Sequence, residues 1–347
     1  MTKATDTGSS RRDVLKVLGA ATGAAFAGNL ISIDRALAAG DGKVTMQLGW
    51  LASNGILGEV AADAQGFFAE EGLTLEIVPG GPNVDGVASV ASGRANLGSI
   101  SSSPSLMLAR SQGLPVKCIA AGYQQHPFTY FSLERNPVRE PKDMIGKKIA
   151  TNGTARILLQ ALLAKNGISE DDVEVIVMGS DMAPLMTGQV DVVTGWKTNT
   201  SALEILGDER VDMTLWDAGI RLYANPYYVT DSTLQDNPDM VAAMLRAVAR
   251  GWAWVHDNRE QAVDLLVERY PNMDRENELK TVDMVVDYSF NEATAENGWG
   301  TMTRENWQEQ IDAYDSLGQF EKDAPAVDEV MTLSVLEQTA DARAKLG

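Results

Sequence analysis

From Lys43 onward, short runs of β-branched and apolar residues alternate with longer stretches in which apolar residues recur every three to four positions. KVTMQLGW (43–50), LTLEIVPG (73–80), ANLGSI (95–100) and VKCIAAG (116–122) have the first pattern and predict strands. ILGEVAADAQGFFAEEG and SPSLMLARSQG, lying between them, predict helices. A second set follows: KKIAT (147–151), VEVIVMG (173–179), VDVVTG (190–195) and VDMTLW (211–216), with ARILLQALLAKNG among its helices. The β-α-β alternation predicts an α/β fold of two lobes, each a mostly parallel sheet flanked by helices.

The two sets repeat one another. FFAEEG ends at Gly72 and LLAKNG at Gly167; GRANLGS begins at Gly93 and GQVDVVT at Gly188, so both pairs are 95 residues apart. In each copy a helix stops at a glycine suited to a left-handed C-cap. Strand, helix, glycine and strand follow. After Ser232 the pattern is helix only, beginning with NPDMVAAMLRAVARGWAWVHDN, where Asn237 is placed to cap a helix ahead of Pro238. This predicts a first lobe of residues 43–133 and 232–330, a second lobe of 134–231 and a C-terminal helix over 331–347. The chain is expected to cross between lobes near Leu133–Asn136 and Tyr228–Ser232, and two crossings make a hinge.

Charge and composition add a compartment. Paired arginines (Arg11, Arg12) precede a stretch from Val17 to Ile33 without charge, and ALA at Ala36–Ala38 offers a small-x-small cleavage site. Residues Ser10 to Lys16 resemble a twin-arginine export signal, with Val14 where phenylalanine is commoner. The apolar run is short for a membrane span, which needs about 20 apolar residues. Cleavage after Ala38 deepens the net charge from −19 to −21. Such acidity argues against nucleic acid and anionic lipid as partners. The single cysteine, Cys118, excludes an internal disulfide and a thiolate zinc cluster, and no cysteine near the cleavage site offers a lipid anchor. The expected product is a soluble periplasmic monomer without a cofactor or metal.

In open parallel sheets, ligands bind beyond the carboxyl ends of strands. Trp50 closes the first strand, with Ser53 and Asn54 after it. Ser101, Ser102 and Ser103 follow ANLGSI, with Ser103 the expected N-cap and Pro104 the first helical residue. Tyr123, Gln124 and Gln125 follow VKCIAAG; Asn152 and Thr154 follow KKIAT. The repeat carries Ser101 and Ser102 onto Trp196 and Lys197. Trp216, Tyr223 and Tyr227 lie at the end of the second set. Aromatic faces with neutral hydrogen-bonding groups suit a flat or small polar solute. Plainer roles compete: Trp50 as core, the serines as cap and turn, Lys197 as a solvated side chain, and Trp252 and Trp254 as mid-helix packing residues. Catalysis finds little support. Only His126 and His256 can supply an imidazole, GSIS does not fit G-x-S-x-G, and no H-E-x-x-H or phosphate loop occurs. His126, ahead of Pro127, reads as a loop residue near the pocket rim.

AQGFFAEEGLTLEIV, VASGRANLGSISSS, GLPVKCIAAGYQQ, DMIGKKIAT, LLAKNGISEDDVEVI and TGQVDVVTGW stand in an order that resembles the periplasmic substrate-binding proteins of bacterial ABC importers. The group includes binders of thiamine-pyrimidine precursors, aliphatic sulfonates, taurine and nitrate. The resemblance covers about Val44 to Leu317. It implies two lobes closing over a solute and docking on a membrane permease, with the loops at 50–54, 101–103, 123–125, 152–155 and 195–197 lining the cleft. The tryptophans and tyrosines favour a thiamine-pyrimidine precursor or related nitrogenous ring. The serines and Lys197 leave a sulfonate, taurine or nitrate as the alternative. Two further readings stay open: an enzyme akin to the fungal thiamine-pyrimidine synthase, which has a cysteine-rich segment absent here, and a sensor subunit for a membrane receptor.

Overall fold

The computed structural model describes residues 42–81, 84–153, 155–179 and 181–347. The export segment expected over residues 1–38 lies outside them. Among the described residues the strands are β1 (Lys43–Leu48), β2 (Thr74–Val78), β3 (Leu97–Ser99), β4 (Val116–Tyr123), β5 (Phe128–Leu133), β6 (Lys148–Thr151), β7 (Glu174–Val177), β8 (Val192–Trp196), β9 (Arg210–Thr214) and β10 (Ala224–Thr230). They form two five-stranded sheets, ordered β2-β1-β3-β10-β4 and β7-β6-β8-β5-β9. β1 pairs in parallel with β2 and β3, as β6 does with β7 and β8. β10 and β5 run antiparallel in the fourth place of their sheets. The two lobes are thus one design used twice.

The repeated glycines fit this. Gly72 and Gly167 have φ of 73° and 65°, and Gly93 and Gly188 have 75° and 72°. Each adopts the left-handed turn that an L-residue resists.

The crossings differ from expectation. The first falls in residues 124–127, so β5 belongs to the second sheet; the second falls in 215–223, so β10 belongs to the first. FTYFSL is buried at every position and lacks the alternation that marks a half-exposed strand. ANPYYVT carries Pro226, which ordinarily argues against a central strand. It is accommodated because β10 pairs with β3 only through Tyr227 and Tyr228, which leaves Pro226 beyond that ladder, and the β10–β4 register shifts between the same two residues.

Around the first sheet lie α1 (Leu57–Ala64), α2 (Phe67–Glu70), α3 (Gly86–Ala91) and α4 (Ser103–Ser111); α5 (Arg156–Lys165), α6 (Ala183–Met186) and α7 (Thr200–Leu203) belong to the second lobe. The C-terminal part supplies α8 (Asp231–Asp236), α9 (Pro238–Asp257), α10 (Arg259–Arg269), α11 (Arg275–Ser289), α12 (Glu292–Asn297), α13 (Arg304–Ser316), α14 (Val327–Val330) and α15 (Ser334–Gln338). α9 packs along α1 so closely that a Cβ on Gly251 would lie 2.0 Å from the Gly58 carbonyl oxygen. Trp252, next in α9, is fully buried, stacked on Trp299 with centroids 6.0 Å apart, as its packing reading anticipates. The second lobe has a smaller core of its own around Phe131, Leu133, Ala150, Leu185 and Val193.

Two helix ends depart from expectation. α4 begins at Ser103, one residue early, so Ser102 is its N-cap and makes no capping side-chain bond. Of the C-terminal helix expected over 331–347, only α15 is helical. The tail beyond it is held by buried Arg343, which donates to the carbonyls of Gly298, Trp299 and Leu336 at 3.0–3.2 Å. Those three acceptors lie outside any single helix, and binding them draws the tail off a helical path.

Candidate functional site

The carboxyl ends of the strands bring the lobes together. Beyond β1, Ser53 caps a short turn over Asn54–Ile56 by accepting from the Gly55 N–H at 3.3 Å. This turn buries Asn54, whose Nδ2 donates to the Thr198 carbonyl at 3.1 Å and to Glu278 Oε2 at 3.0 Å. Thr198 follows β8 of the second sheet and Glu278 belongs to α11. A single amide therefore ties three parts of the molecule.

Aromatic side chains continue the seam. Tyr123, ending β4, is fully buried, its ring 6.0 Å from Trp196 of β8, 6.0 Å from Tyr288 of α11 at an interplanar angle of 24°, and 6.2 Å from Trp252 edge-on. Its hydroxyl has no hydrogen-bond partner among the described residues, and burial raises its pKa above the ordinary range. Trp196 meets His126 edge-on at 5.6 Å. His126 is buried rather than at a rim; its Nδ1 accepts from the Phe128 N–H at 3.2 Å, leaving the proton of the neutral ring on Nε2. Burial pushes its pKa down to about 3, which the backbone of Ser101 offsets only in part. Such an imidazole is neutral at ordinary pH and a poor general base.

Beneath this layer, Tyr227 donates from its hydroxyl to Glu59 Oε1 at 2.7 Å, and Trp252 Nε1 donates to the Tyr227 hydroxyl at 3.3 Å. The other oxygen of Glu59 has no partner among the described residues. Burial pushes the Glu59 pKa up to about 7 against the opposing Tyr227 bond.

α11 forms a third wall. Glu278, Thr281, Val285 and Tyr288 recur at the spacing that keeps residues on one helical face. The Thr281 and Thr200 hydroxyls are hydrogen-bonded across the seam, and Thr200 also donates to the Asn277 carbonyl at 3.4 Å. Burial raises the Glu278 pKa, against the Asn54 bond.

Of the residues expected at the site, Asn54, Tyr123 and Trp196 converge here. Trp50 is half-buried just past β1. Ser101 is half-buried, its carbonyl accepting from the Asn225 N–H at 3.4 Å, and Ser102 is buried with its hydroxyl 3.5 Å from that of Ser105. Gln125 is half-buried beside His126. Asn152 accepts from the Ala155 N–H at 2.8 Å ahead of α5; Thr154 lies outside the described residues. The Lys197 ammonium stands 3.6 Å from Asp212, and Arg221 lies over the Trp216 ring at 5.6 Å. Four residues turn into the first lobe instead. Ser103 bonds the Tyr223 carbonyl and Gln310, and Gln124 donates to the Thr301 carbonyl at 2.9 Å. Tyr223 packs on Trp307, its hydroxyl accepting from the Thr303 N–H, and Tyr227 holds Glu59.

Sequence reasoning missed the α11 face, Glu59 and the burial of His126. Asn225, at the second crossing, has φ of 48° and donates to the Gly55 carbonyl at 3.4 Å. The Asn225-Pro226 dipeptide was a usable turn signal; the α11 residues had none, because only the tertiary fold turns that face to the seam. A separate cavity of about 410 Å³, bounded by Lys117, Met331, Ser334 and Glu337, opens at the opposite end of β4. A strand of that length spans about 25 Å. That distance removes the cavity from the aromatic seam.

Two similar α/β sheets, an antiparallel strand in each where the chain crosses, and polar and aromatic groups gathered between them define a protein of the periplasmic-binding-protein fold. A profile of the family described as NMT1/THI5 like matches residues 53–262, and the chain belongs to that family. It is 28% identical to the riboflavin-binding protein RibY of Chloroflexus aurantiacus, over 76% of this chain and 78% of that one. It is 26% identical to a formylaminopyrimidine-binding protein of Halalkalibacterium halodurans, over 73% and 80%. A 4-amino-5-hydroxymethyl-2-methylpyrimidine phosphate synthase of Legionella pneumophila is 23% identical over 67% and 75%. Among solved structures, a putative periplasmic sulfonate-binding protein of Methylobacillus flagellatus superposes with a TM-score of 0.62 at 17% identity, covering 86% of this chain and 94% of that one.

Proposed function

We propose that this protein is the periplasmic solute-binding component of an ABC importer, and that it closes its two lobes over a flat nitrogenous heterocycle of the thiamine-pyrimidine-precursor kind. The observation that carries this reading is the aromatic seam: Trp196 of one lobe against Tyr123 of the other, with Tyr288 nearly parallel behind it. In the described form these rings touch one another, and a planar solute would stack on them as the lobes part. The names of two relatives, a riboflavin-binding and a formylaminopyrimidine-binding protein, support the same class.

An oxyanion fits less well. Lys197 is engaged with Asp212, Ser103 is turned inward, and Glu278 brings a carboxyl group to the seam. A binding role is favoured over the synthase activity named for one relative. The lone thiol, Cys118, is buried with its pKa raised by burial, and His126 is a poor base. Export through the twin-arginine route, action as a monomer and delivery to an inner-membrane permease complete the reading.

Calorimetric titration of the purified protein tests it. Aminopyrimidine precursors or riboflavin should bind and be recovered unchanged, and taurine and nitrate should give no heat. Tight taurine binding with no heat from any heterocycle would overturn the solute class, and turnover of a bound pyrimidine would overturn the binding role.

A further inference from the structure

We propose that Glu278 sets the charge sign of the solute, admitting ligands that bring N–H donors or positive charge and turning away anions. The inference rests on the seam being the solute site, and it adds a specificity-determining residue from α11, outside both sets of βα units.

Three contacts put the α11 face at the seam. Glu278 accepts from Asn54 at 3.0 Å, Thr281 is bonded to Thr200 of the second lobe, and Tyr288 lies against Tyr123. Glu278 is only half-buried, and a carboxylate has about four acceptor positions. Asn54 occupies one of them. The hydrogen bond to Asn54 is also directional: its Nδ2 spends its two hydrogens on Glu278 and on the Thr198 carbonyl. Asn54 therefore fixes the carboxylate at the line where the lobes meet.

The surrounding charges have the same sign. Asp274 precedes Glu278 by one helical turn and repels its charge. Asp217 and Asp212 act on the Tyr288 hydroxyl from the second lobe. The nearby cations are committed elsewhere: Lys197 lies 3.6 Å and Arg210 2.9 Å from Asp212, and Arg221 lies over Trp216. A donor on a ring edge placed here would make a charge-assisted hydrogen bond, roughly twice as strong as a neutral one. A sulfonate would meet like charge.

The test is a set of three titrations on the full-length wild type and its Glu278→Gln variant, using 4-amino-5-hydroxymethyl-2-methylpyrimidine, the same ring with hydroxyl in place of the amino group, and ethanesulfonate. Wild type should prefer the amino ring, and Glu278→Gln should cut that preference about tenfold, the ratio that about 1.4 kcal/mol represents. The same variant should bind ethanesulfonate more tightly than wild type does. Glu278→Asp keeps the charge and should keep the preference, and Glu276→Gln, the same change on the exposed face of α11 where Glu276 pairs with Lys280, should leave the ratio alone. An unchanged amino-to-hydroxyl ratio in Glu278→Gln, with near-UV circular dichroism of the native form, would overturn the assignment while leaving heterocycle binding intact. If wild type binds neither ring, the solute reading fails instead, and the charge role is then decided by ethanesulfonate: a gain in Glu278→Gln upholds it and no gain overturns it.

Discussion

Replacing Glu59 by glutamine isolates the effect of a carboxyl group held in the floor of the first lobe. Glu59 has no exposed surface, and burial raises its pKa from the ordinary 4.5 to about 7. Below pH 4.5 both folded and unfolded chains carry the proton, and this group costs nothing. Between 4.5 and 7 the unfolded chain ionises while the folded one resists, so stability falls as pH rises; above 7 the loss is complete. At about 1.4 kcal/mol per pH unit, the rise from 4.5 to about 7 corresponds to roughly 3 kcal/mol. Glutamine keeps an acceptor for the Tyr227 hydroxyl and never ionises. Its constant effect on packing and hydrogen bonding is the same at every pH, so the informative quantity is the difference between variant and wild type. Urea unfolding at pH 5 and pH 8.5 should move that difference in favour of Glu59→Gln by roughly 2–3 kcal/mol, with unchanged m-values. A difference that stays flat across this range would refute the reasoning: the carboxyl group would then be ionised in the fold at no cost, through a counter-charge or solvent access that its surroundings do not supply.

His126→Asn should act in the opposite sense. The buried imidazole titrates at about 3 rather than at its ordinary 6.5, so wild type is fully stabilised above 6.5 and loses stability as the pH falls. By pH 5 that loss is about 2 kcal/mol at 1.4 kcal/mol per unit, and a variant that keeps an acceptor for the Phe128 N–H should not show it. Acid unfolding followed by circular dichroism reads this directly, and parallel acid limbs for the two proteins would count against it. Gly251→Ala places a methyl group 2.0 Å from the Gly58 carbonyl oxygen. Alanine ordinarily gains about 1 kcal/mol over glycine within a helix, but overpacking costs about 1–3 kcal/mol or more, so the melting temperature should fall. Calorimetry decides the sign, and a rise would mean that α1 and α9 are less tightly joined than described.

The parallel framework was legible because each of its strands pairs a β-branched run with a glycine or polar stop. The two antiparallel strands were not. FTYFSL has no alternation because both faces are covered, and ANPYYVT contains a proline that stands one residue beyond the pairing with β3. The strand-end rule located Asn54, Tyr123 and Trp196, since it depends on topology that the βα pattern reveals. It could not tell which hydroxyls turn inward. Ser103 stands at a helix start, where its side chain can serve its own backbone or a neighbouring element, and the presence of Gln310 on α13 settled the choice. Glu278, Thr281 and Tyr288 show ordinary helical spacing, and nothing local distinguishes a face that meets another lobe from one that meets solvent.

The antiparallel strand of the first sheet also governs how the molecule can be assembled. β3 and β4 are neighbours only through β10, and the whole second lobe separates β4 from β10 along the chain. The second sheet, by contrast, draws every strand from the continuous stretch between Phe128 and Thr214. As the chain emerges from the ribosome, the second lobe can close on itself, while β4 must wait for Ala224–Thr230 to join it to β2-β1-β3 and for α9 to settle over α1. Such long-range pairings are slow to form, and they leave unpaired strand edges open in the interval. The order of synthesis and the order of folding run in opposite directions here: the lobe that is begun first is completed last.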